Sequence, residues 1–324
     1  MSATSRGEAP DNAPGLGETL GHSLVERIGN TPLLRLDALT RDLPGIALLG
    51  KAEWYNPGGS VKDRAASRIV AEGRASGKLR EGKMLLDATS GNTGIAYAML
   101  GAAGGFPVTL CMPENVSRER KQILQGYGAH IIYTDPGDGS DGAIRKAREL
   151  ASEHPEKYFY ADQYSNNANW QAHYYTTANE IWQQTQGRIT HFVSMLGTSG
   201  TFVGTTRRLK ELNPRIQCIS LQPDSSFHGI EGAKHMPTAL VPNIYDPTLA
   251  DQNLEISTED SYAMARQLSR NAGLLVGISA AAAVVGCLKI ARELPTKKEH
   301  EAVIVTILCD SGEKYLSERF WTES

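Results

Sequence analysis

From about residue 46 the chain alternates between short apolar runs and longer stretches with helical spacing. The segments "IALLGKAEW" (46–54), "MLLDAT" (84–89), "PVTLCMP" (107–113), "AHIIYT" (129–134), "ITHFVSML" (189–196), "IQCISLQP" (216–223) and "EAVIVTILCD" (301–310) read as strands. Each is nearly continuous in apolar or β-branched residues, the pattern of strands buried on both faces. Between them, "VKDRAASRIVAEGRASG" (61–77), "NTGIAYAMLGAAGG" (92–105), "SRERKQILQGYG" (117–128), "GTFVGTTRRLKEL" (200–212) and "GISAAAAVVGCLKIAREL" (277–294) read as helices, the third with Ser117 as its N-cap. The stretch "DPGDGSDG" (135–142) reads as a polar turn. Strands alternating with helices predict an α/β fold of mostly parallel sheets flanked by helices. Such folds bind ligands beyond the carboxyl ends of their strands, in the strand-to-helix loops.

Composition narrows the function classes. The chain has 324 residues, room for two domains, and 33 basic against 36 acidic residues give a formal charge of -3. That balance argues against nucleic acid or an anionic membrane surface as the main partner. No apolar run approaches the roughly 18 residues of a membrane span. The four cysteines, Cys111, Cys218, Cys287 and Cys309, have no metal-type spacing and read as buried, reduced thiols of a cytoplasmic protein. His173, His191, His228 and His235 also lack metal-ligand spacing, so no metal is expected. Residues 1–22 are polar and rich in Gly and Pro, without the apolar segment of a signal peptide, and read as a mobile tail.

Four loops carry candidate chemistry. In "NPGGSVKDR" (56–64), Ser60 and Asp63 fit the S-x-x-D capping pattern, which opens a helix near Val61. Lys62 then stands in the first turn, at the positive end of the helix dipole, where an ammonium is disfavoured. A lysine that gives up its proton readily suits Schiff-base chemistry, although a solvated surface lysine fits the same pattern. The loop "ATSGNTG" (88–94) offers hydroxyls, an amide and backbone N–H groups at a helix start, a cradle for carboxylate or phosphate. Gly197, Thr198, Ser199, Gly200 and Thr201 of "LGTSGTFVG" form a second nest with three hydroxyls. This loop is neither G-x-G-x-x-G nor a P-loop, so a compact phosphate monoester suits it better than a dinucleotide. The fourth loop, "LCDSGEKYL" (308–316), presents Ser311 at a turn. A lysine, two anion cradles and a small polar cap together suit pyridoxal 5'-phosphate (PLP), with its aldehyde, phosphate and ring nitrogen.

These residues resemble the cysteine synthase and cystathionine β-synthase family of PLP enzymes. "VERIGNTPLLRL" (25–36), "NPGGSVKDR", "TSGNTG", "GTSGTFVG", "GIS" (277–279) and "DSGEKYLS" (310–317) follow one another in family order and spacing. The resemblance implies a two-domain fold of type II, like the tryptophan synthase β subunit. Its larger, PLP-phosphate-binding domain is expected over residues 23–48 and 163–324, and its smaller, substrate-clamping domain over 49–162. By resemblance, Lys62 forms the internal aldimine and is the catalytic base, and Asn92 meets the ring hydroxyl. Thr89, Ser90, Thr93 and Gln163 hold the substrate carboxylate, and Gly197 to Thr201 hold the phosphate. Ser311 faces the ring nitrogen, with neighbouring Asp310 leaving that position ambiguous. The run "ISAAAA" (278–283) is expected to pack near the cofactor without chemistry of its own.

The implied reaction is β-replacement through an α-aminoacrylate, giving L-cysteine from an activated serine and a sulfur donor. The segments "MPENVSRERKQILQGYGAHIIYT" and "PNIYDPTLA" are most similar to cysteine synthases of the B or M type, one branch of which uses O-phosphoserine and a thiocarboxylated carrier protein. Where that branch carries an arginine for the substrate phosphate, this chain has Lys234, a point charge without the planar fork. O-phosphoserine, O-acetylserine and serine remain open as donors, and sulfide, a carrier protein and homocysteine as acceptors. The chain departs from relatives at Asn167 and Asn179, where prolines are common, and at Ala178, where glycine is. The alternatives are a cystathionine β-synthase and a non-catalytic PLP-binding partner or sensor. A homodimer is implied by resemblance alone.

Overall fold

The computed structural model describes residues 21–89, 91–295 and 301–322. All but the last two residues of the expected tail lie outside the described residues, as does Ser90. Two sheets organise the chain. The larger runs β1 (Leu33–Arg35), β2 (Ile46–Ala52), β10 (Ala302–Leu308), β7 (His191–Met195), β8 (Gln217–Pro223) and β9 (Gln252–Ile256) in that order. Only its edge strand β1 is antiparallel to its neighbour. The smaller sheet runs β5 (His130–Thr134), β4 (Val108–Pro113), β3 (Met84–Ala88) and β6 (Tyr158–Tyr160), all parallel. Strand β2 runs across the expected 48/49 boundary to Ala52 in the larger sheet.

Nine α-helices are found among the described residues: α1 (Lys62–Ala75), α2 (Asn92–Gly104), α3 (Arg118–Gly126), α4 (Gly139–Glu153), α5 (Asn167–Tyr175), α6 (Thr177–Gln184), α7 (Gly200–Leu212), α8 (Thr258–Ala272) and α9 (Ile278–Glu293). Helix α4 overturns the expected polar turn at 135–142. Asp135 accepts from the Gly137 N–H, and a short 3-10 turn over Pro136–Asp138 leads straight into the helix. Ser117 does occupy the N-cap position of α3, but its hydroxyl donates to the Lys314 carbonyl at 3.0 Å instead of capping the helix.

The core forms where these elements stack. β10 lies between β2 and β7, and α9 is buried continuously from Ile278 to Leu288. Its alanines and Gly286 let the helix press onto the sheet, where a Cβ on Gly286 would strike Leu221. Burying each large aliphatic side chain here contributes about 1.5–3 kcal/mol.

One polar cluster is buried as deeply as this core. The Arg64 guanidinium on α1 grips both oxygens of Glu53, Nε to Oε2 at 2.7 Å and Nη2 to Oε1 at 2.8 Å. It also donates to both oxygens of Glu180 on α6, at 2.7 and 2.8 Å. Lys51, on β2, pairs with Glu180 at 2.8 Å and donates to the Thr31 carbonyl at 2.7 Å. Two cations and two anions thus neutralise one another out of water and lock α1 to β2 and α6. Burial opposes ionisation of Glu180, but hydrogen bonding and charge from Arg64, with Lys51, outweigh it and hold the carboxyl down at about 2.

Removing the guanidinium strands two carboxylates in the interior. Arg64→Met should lower the unfolding free energy by about 3–5 kcal/mol in a denaturant titration. Glu180 titrates lower in the folded protein than its ordinary 4.5, so its contribution is fully present above that pH and is lost as pH falls from there toward about 2. Glu180→Gln should flatten that limb of the stability curve; an unchanged acid limb would count against the assignment.

Candidate active site

Lys62 is the first residue of α1 and projects between the two sheets. The loop before it is fixed at several points. Asn56 donates to the Glu53 side chain at 2.9 Å and to the Ser60 carbonyl at 3.1 Å, and it accepts from the Gly29 N–H at 2.8 Å. The Val61 N–H then bonds the Cys309 carbonyl just beyond β10 at 2.9 Å. The expected capping box takes another form. Ser60 Oγ accepts from the Lys62 N–H at 3.2 Å, and Asp63 reaches back to the Gly58 N–H rather than to Ser60. Burial pushes the Asp63 carboxyl up to about 7, against the Gly58 N–H and the Lys314 charge.

Across the cleft, the loop between β3 and α2 presents Thr89, Asn92 and Thr93. Thr89 Oγ1 accepts from the Gly91 and Gly94 N–H groups at 3.0 and 3.2 Å, which leaves its hydroxyl hydrogen free to donate. The Thr93 hydroxyl donates to Gln163 Oε1 at 2.8 Å, and Gln163 Nε2 donates to the Ala88 carbonyl at 2.6 Å. Asp87, wholly buried at the end of β3, accepts from the Gln163 N–H, and burial pushes its carboxyl up to about 8. Asn92 Nδ2 donates to Asp310 Oδ2 at 2.8 Å, while its Oδ1 accepts from Lys314 Nζ at 2.9 Å. The amide is therefore oriented by two charged residues more than 200 positions downstream. Lys314 also donates to the Gly58 and Gly59 carbonyls, tying the Lys62 loop to Asn92.

The third loop leaves β7 at Met195 and enters α7 at Gly200. Ser199 has φ 68°, a left-handed conformation that turns successive N–H groups toward one point at the helix start. A Cβ on Gly197 would overlap the Gly232 carbonyl, so the close approach there requires glycine. Thr198 accepts from Asn169 Nδ2 at 3.0 Å. Thr201 meets Nε2 of His173, whose Nδ1 meets Thr177. Burial and the nearby Arg64 charge push His173 down to about 3, so it is a neutral spacer that fixes the Thr201 hydroxyl. Ser199 Oγ is buried without a partner. An orphaned hydroxyl within a nest of N–H groups fits the phosphate of PLP.

Two adjoining cavities unite these loops. Lys62, Asn92, Gly197 and Thr198 line both. One adds Thr89, Thr93, Gln163, Ser140 and Lys234; the other adds Ser199, Thr201, Ser279 and Cys309. Ser311 lines neither. It forms an isolated bridge with Val276 and caps the 3-10 turn Gly312–Tyr315, while Asp310 takes the inward position toward Asn92 and Tyr315. Ser279, in the "GIS" of the run expected to carry no chemistry, does line one of the two cavities. Cys309 is only partly buried, unlike Cys111, Cys218 and Cys287; all four are free, and burial pushes the Cys309 thiol up to about 11.

Lys234 lies in the cavity wall, but its Nζ is paired with Asp141 Oδ1 at 2.8 Å. Asn167 and Asn179 stand outside both cavities, accepting from Trp170 and Arg208 respectively. Among the described residues no cluster of three or more His, Cys, Asp or Glu could hold a metal ion, and no helix is long and apolar enough to cross a membrane.

Comparisons with known proteins place the chain in a family. Residues 24–310 match the family described as pyridoxal-phosphate dependent enzyme. A cysteine synthase of Aquifex aeolicus is 50% identical over 303 residues, 93% of this chain and 92% of that one. Cysteine synthase B of Escherichia coli is 41% identical over 295 residues, 91% and 94% of the two chains. The crystal structure of a cysteine synthase (OASS) from Entamoeba histolytica superimposes with a TM-score of 0.86 at 36% identity, covering 99% of this chain and 95% of that one. The chain belongs to the pyridoxal-phosphate dependent enzymes of the cysteine synthase group, with their type II fold.

Proposed function

We propose that this enzyme makes L-cysteine by β-replacement, taking serine activated at its hydroxyl and exchanging the activated oxygen for sulfide. The observation that carries this reading is the convergence of Lys62, the 89–93 loop and the 197–201 nest on adjoining cavities. Bound PLP supplies the electron sink that makes an amino acid's α-hydrogen acidic and its β-substituent expellable.

The chain's own residues do the rest. The nest from Gly197 to Thr201 holds the phosphate through backbone N–H groups and hydroxyls. Asn92 aims a side-chain N–H at the ring hydroxyl, its orientation set by Asp310 and Lys314. Ser279, which lines the cavity where Ser311 does not, would offer the ring nitrogen a neutral hydroxyl, a partner that favours loss of the β-substituent over transamination. Thr89, Thr93 and Gln163 hold the substrate carboxylate, with Ser90 beside them in the sequence. Lys62 Nζ would hold the cofactor aldehyde, and the same amine is the base for the substrate's α-proton. The larger-sheet unit carries the phosphate nest, and the smaller-sheet unit carries the carboxylate clamp. A homodimer in the cytoplasm is the assembly and compartment this reading adopts from the family resemblance.

Product analysis with O-acetyl-L-serine, O-phospho-L-serine and L-serine, each with sulfide or homocysteine, checks the reaction. Cysteine from an activated serine and sulfide is expected; cystathionine from serine and homocysteine, with no cysteine, would overturn it. Lys62→Ala should lower kcat by at least ~10³-fold, since it removes both the attachment point and the base. Ser279→Asp should shift the visible absorption of the bound cofactor by protonating the ring nitrogen, whereas Ser311→Asp should leave the spectrum in place. The reverse result would restore Ser311 to that role.

A further inference from the structure

One wall of the substrate cavity is built from both sheets' loops. Lys234 comes from the segment after β8, and Ser140 from the first turn of α4. Lys234 is 5% exposed, and its ammonium donates to Ser140 Oγ at 3.2 Å as well as to Asp141. The other oxygen of Asp141 accepts from the Leu240 N–H at 2.9 Å, and the Lys234 N–H is fixed to the Leu196 carbonyl at 2.9 Å. Asp141 therefore grips the Lys234 loop at two points. Burial opposes its ionisation, but the bonds from Lys234 and Leu240 prevail and hold the carboxyl below its usual range.

The charge that faces incoming substrate follows. Lys62 and Lys234 are the cations among the described residues lining this cavity. Lys62 is committed to the cofactor in the reading above, and Lys234 is neutralised by Asp141. The groove outside the cavity adds Asp138 and Glu231 to Asp141, with His228 and His235 also on its walls. Glu231 is paired with Arg120 and Asp138 with Arg145. Among the described residues, a doubly charged phosphate ester entering here meets Lys234 only where Asp141 already offsets its charge. An uncharged ester has no need of that cation.

We propose that Asp141 is a specificity-determining residue: by holding Lys234 it selects serine donors with an uncharged β-substituent, such as an acetyl ester, over a phosphate monoester. The proposal rests on the β-replacement reading and names its substrate class. It also sets Asp141 in competition with the phosphate-binding role that family resemblance implies for Lys234.

The test compares wild type, Asp141→Asn and the double variant Asp141→Asn with Lys234→Met, each as holoenzyme. With sulfide as acceptor, wild type should show a higher kcat/KM for O-acetyl-L-serine than for O-phospho-L-serine. Asp141→Asn should move that ratio toward O-phospho-L-serine by about 10–100-fold, the range of one freed charge-assisted contact. The double variant should lose the gain. Calorimetric titration with 2-amino-4-phosphonobutyrate, in which a methylene replaces the ester oxygen so that no leaving group can depart from the β-carbon, reads the same effect without turnover, and binding should tighten about tenfold or more in Asp141→Asn only. Should Asp141→Asn not fold, Asp141→Ser keeps an acceptor for the Leu240 N–H and serves in its place. A wild-type preference for the phosphate ester, an unchanged ratio and affinity, or a gain that persists without Lys234 would each overturn the proposal. Turnover of neither donor would refute the β-replacement reading alone, because the phosphonate titration still decides the role of Asp141.

Discussion

Everything in the cleft is referred to the buried cross in which Arg64 holds Glu53 and Glu180. A charge inside a protein is tolerated only when it is paired and fully hydrogen-bonded. Arg64 meets that condition at one position only, with its fork on both carboxylates, so α1 has little freedom to rotate or slide. Lys62 lies two residues earlier on the same helix. Asn56, bonded to Glu53, closes the loop before it. The motif "NPGGSVKDR" thus joins a chemical residue to its mount: the lysine faces the cleft while the arginine anchors the helix in the interior.

A second tier of charges spans the two sheets. Lys314 links the Gly58–Gly59 carbonyls to Asn92, Asp310 receives Asn92 and Tyr315, and Asp141 holds Lys234. The cofactor-facing amide and the far wall of the substrate cavity are both positioned by pairs whose members are remote in sequence. The preference of the site for one protonation state or leaving group is therefore set by contacts between its residues as much as by the residues themselves. In the proposed reading, a neutral Ser279 at the ring nitrogen and a Lys234 paired with Asp141 both keep net charge low in the reaction space.

Much of this was legible in the amino-acid order, for physical reasons. Buried parallel strands are continuous apolar runs, so the strands of both sheets from β2 to β5, together with β7, β8 and β10, stand out within a residue or two at each end. The four loops could be found because anion cradles need glycines and hydroxyls at helix starts. Helices α4, α5, α6 and α8 were less visible, because polar first turns mask where they begin. Ser311 draws attention because it follows a strand end, yet Asp310 makes the contacts to Asn92 and Tyr315 and Ser311 lines neither cavity. Ser279 sits in an alanine-rich run whose small side chains also suit plain packing. Arg64, His173, Lys314 and Asp141 act through partners on other elements, and no local pattern announces a contact across 100 or 200 residues.

A single-turnover experiment tests the central claim most directly. Holoenzyme mixed with one equivalent of O-acetyl-L-serine, without sulfide, should release acetate stoichiometrically and change its visible spectrum. Added sulfide should then restore the original spectrum as one equivalent of L-cysteine forms. Acetate release without cysteine on adding sulfide, or no spectral response to the activated serine, would contradict the assignment of this cleft to β-replacement.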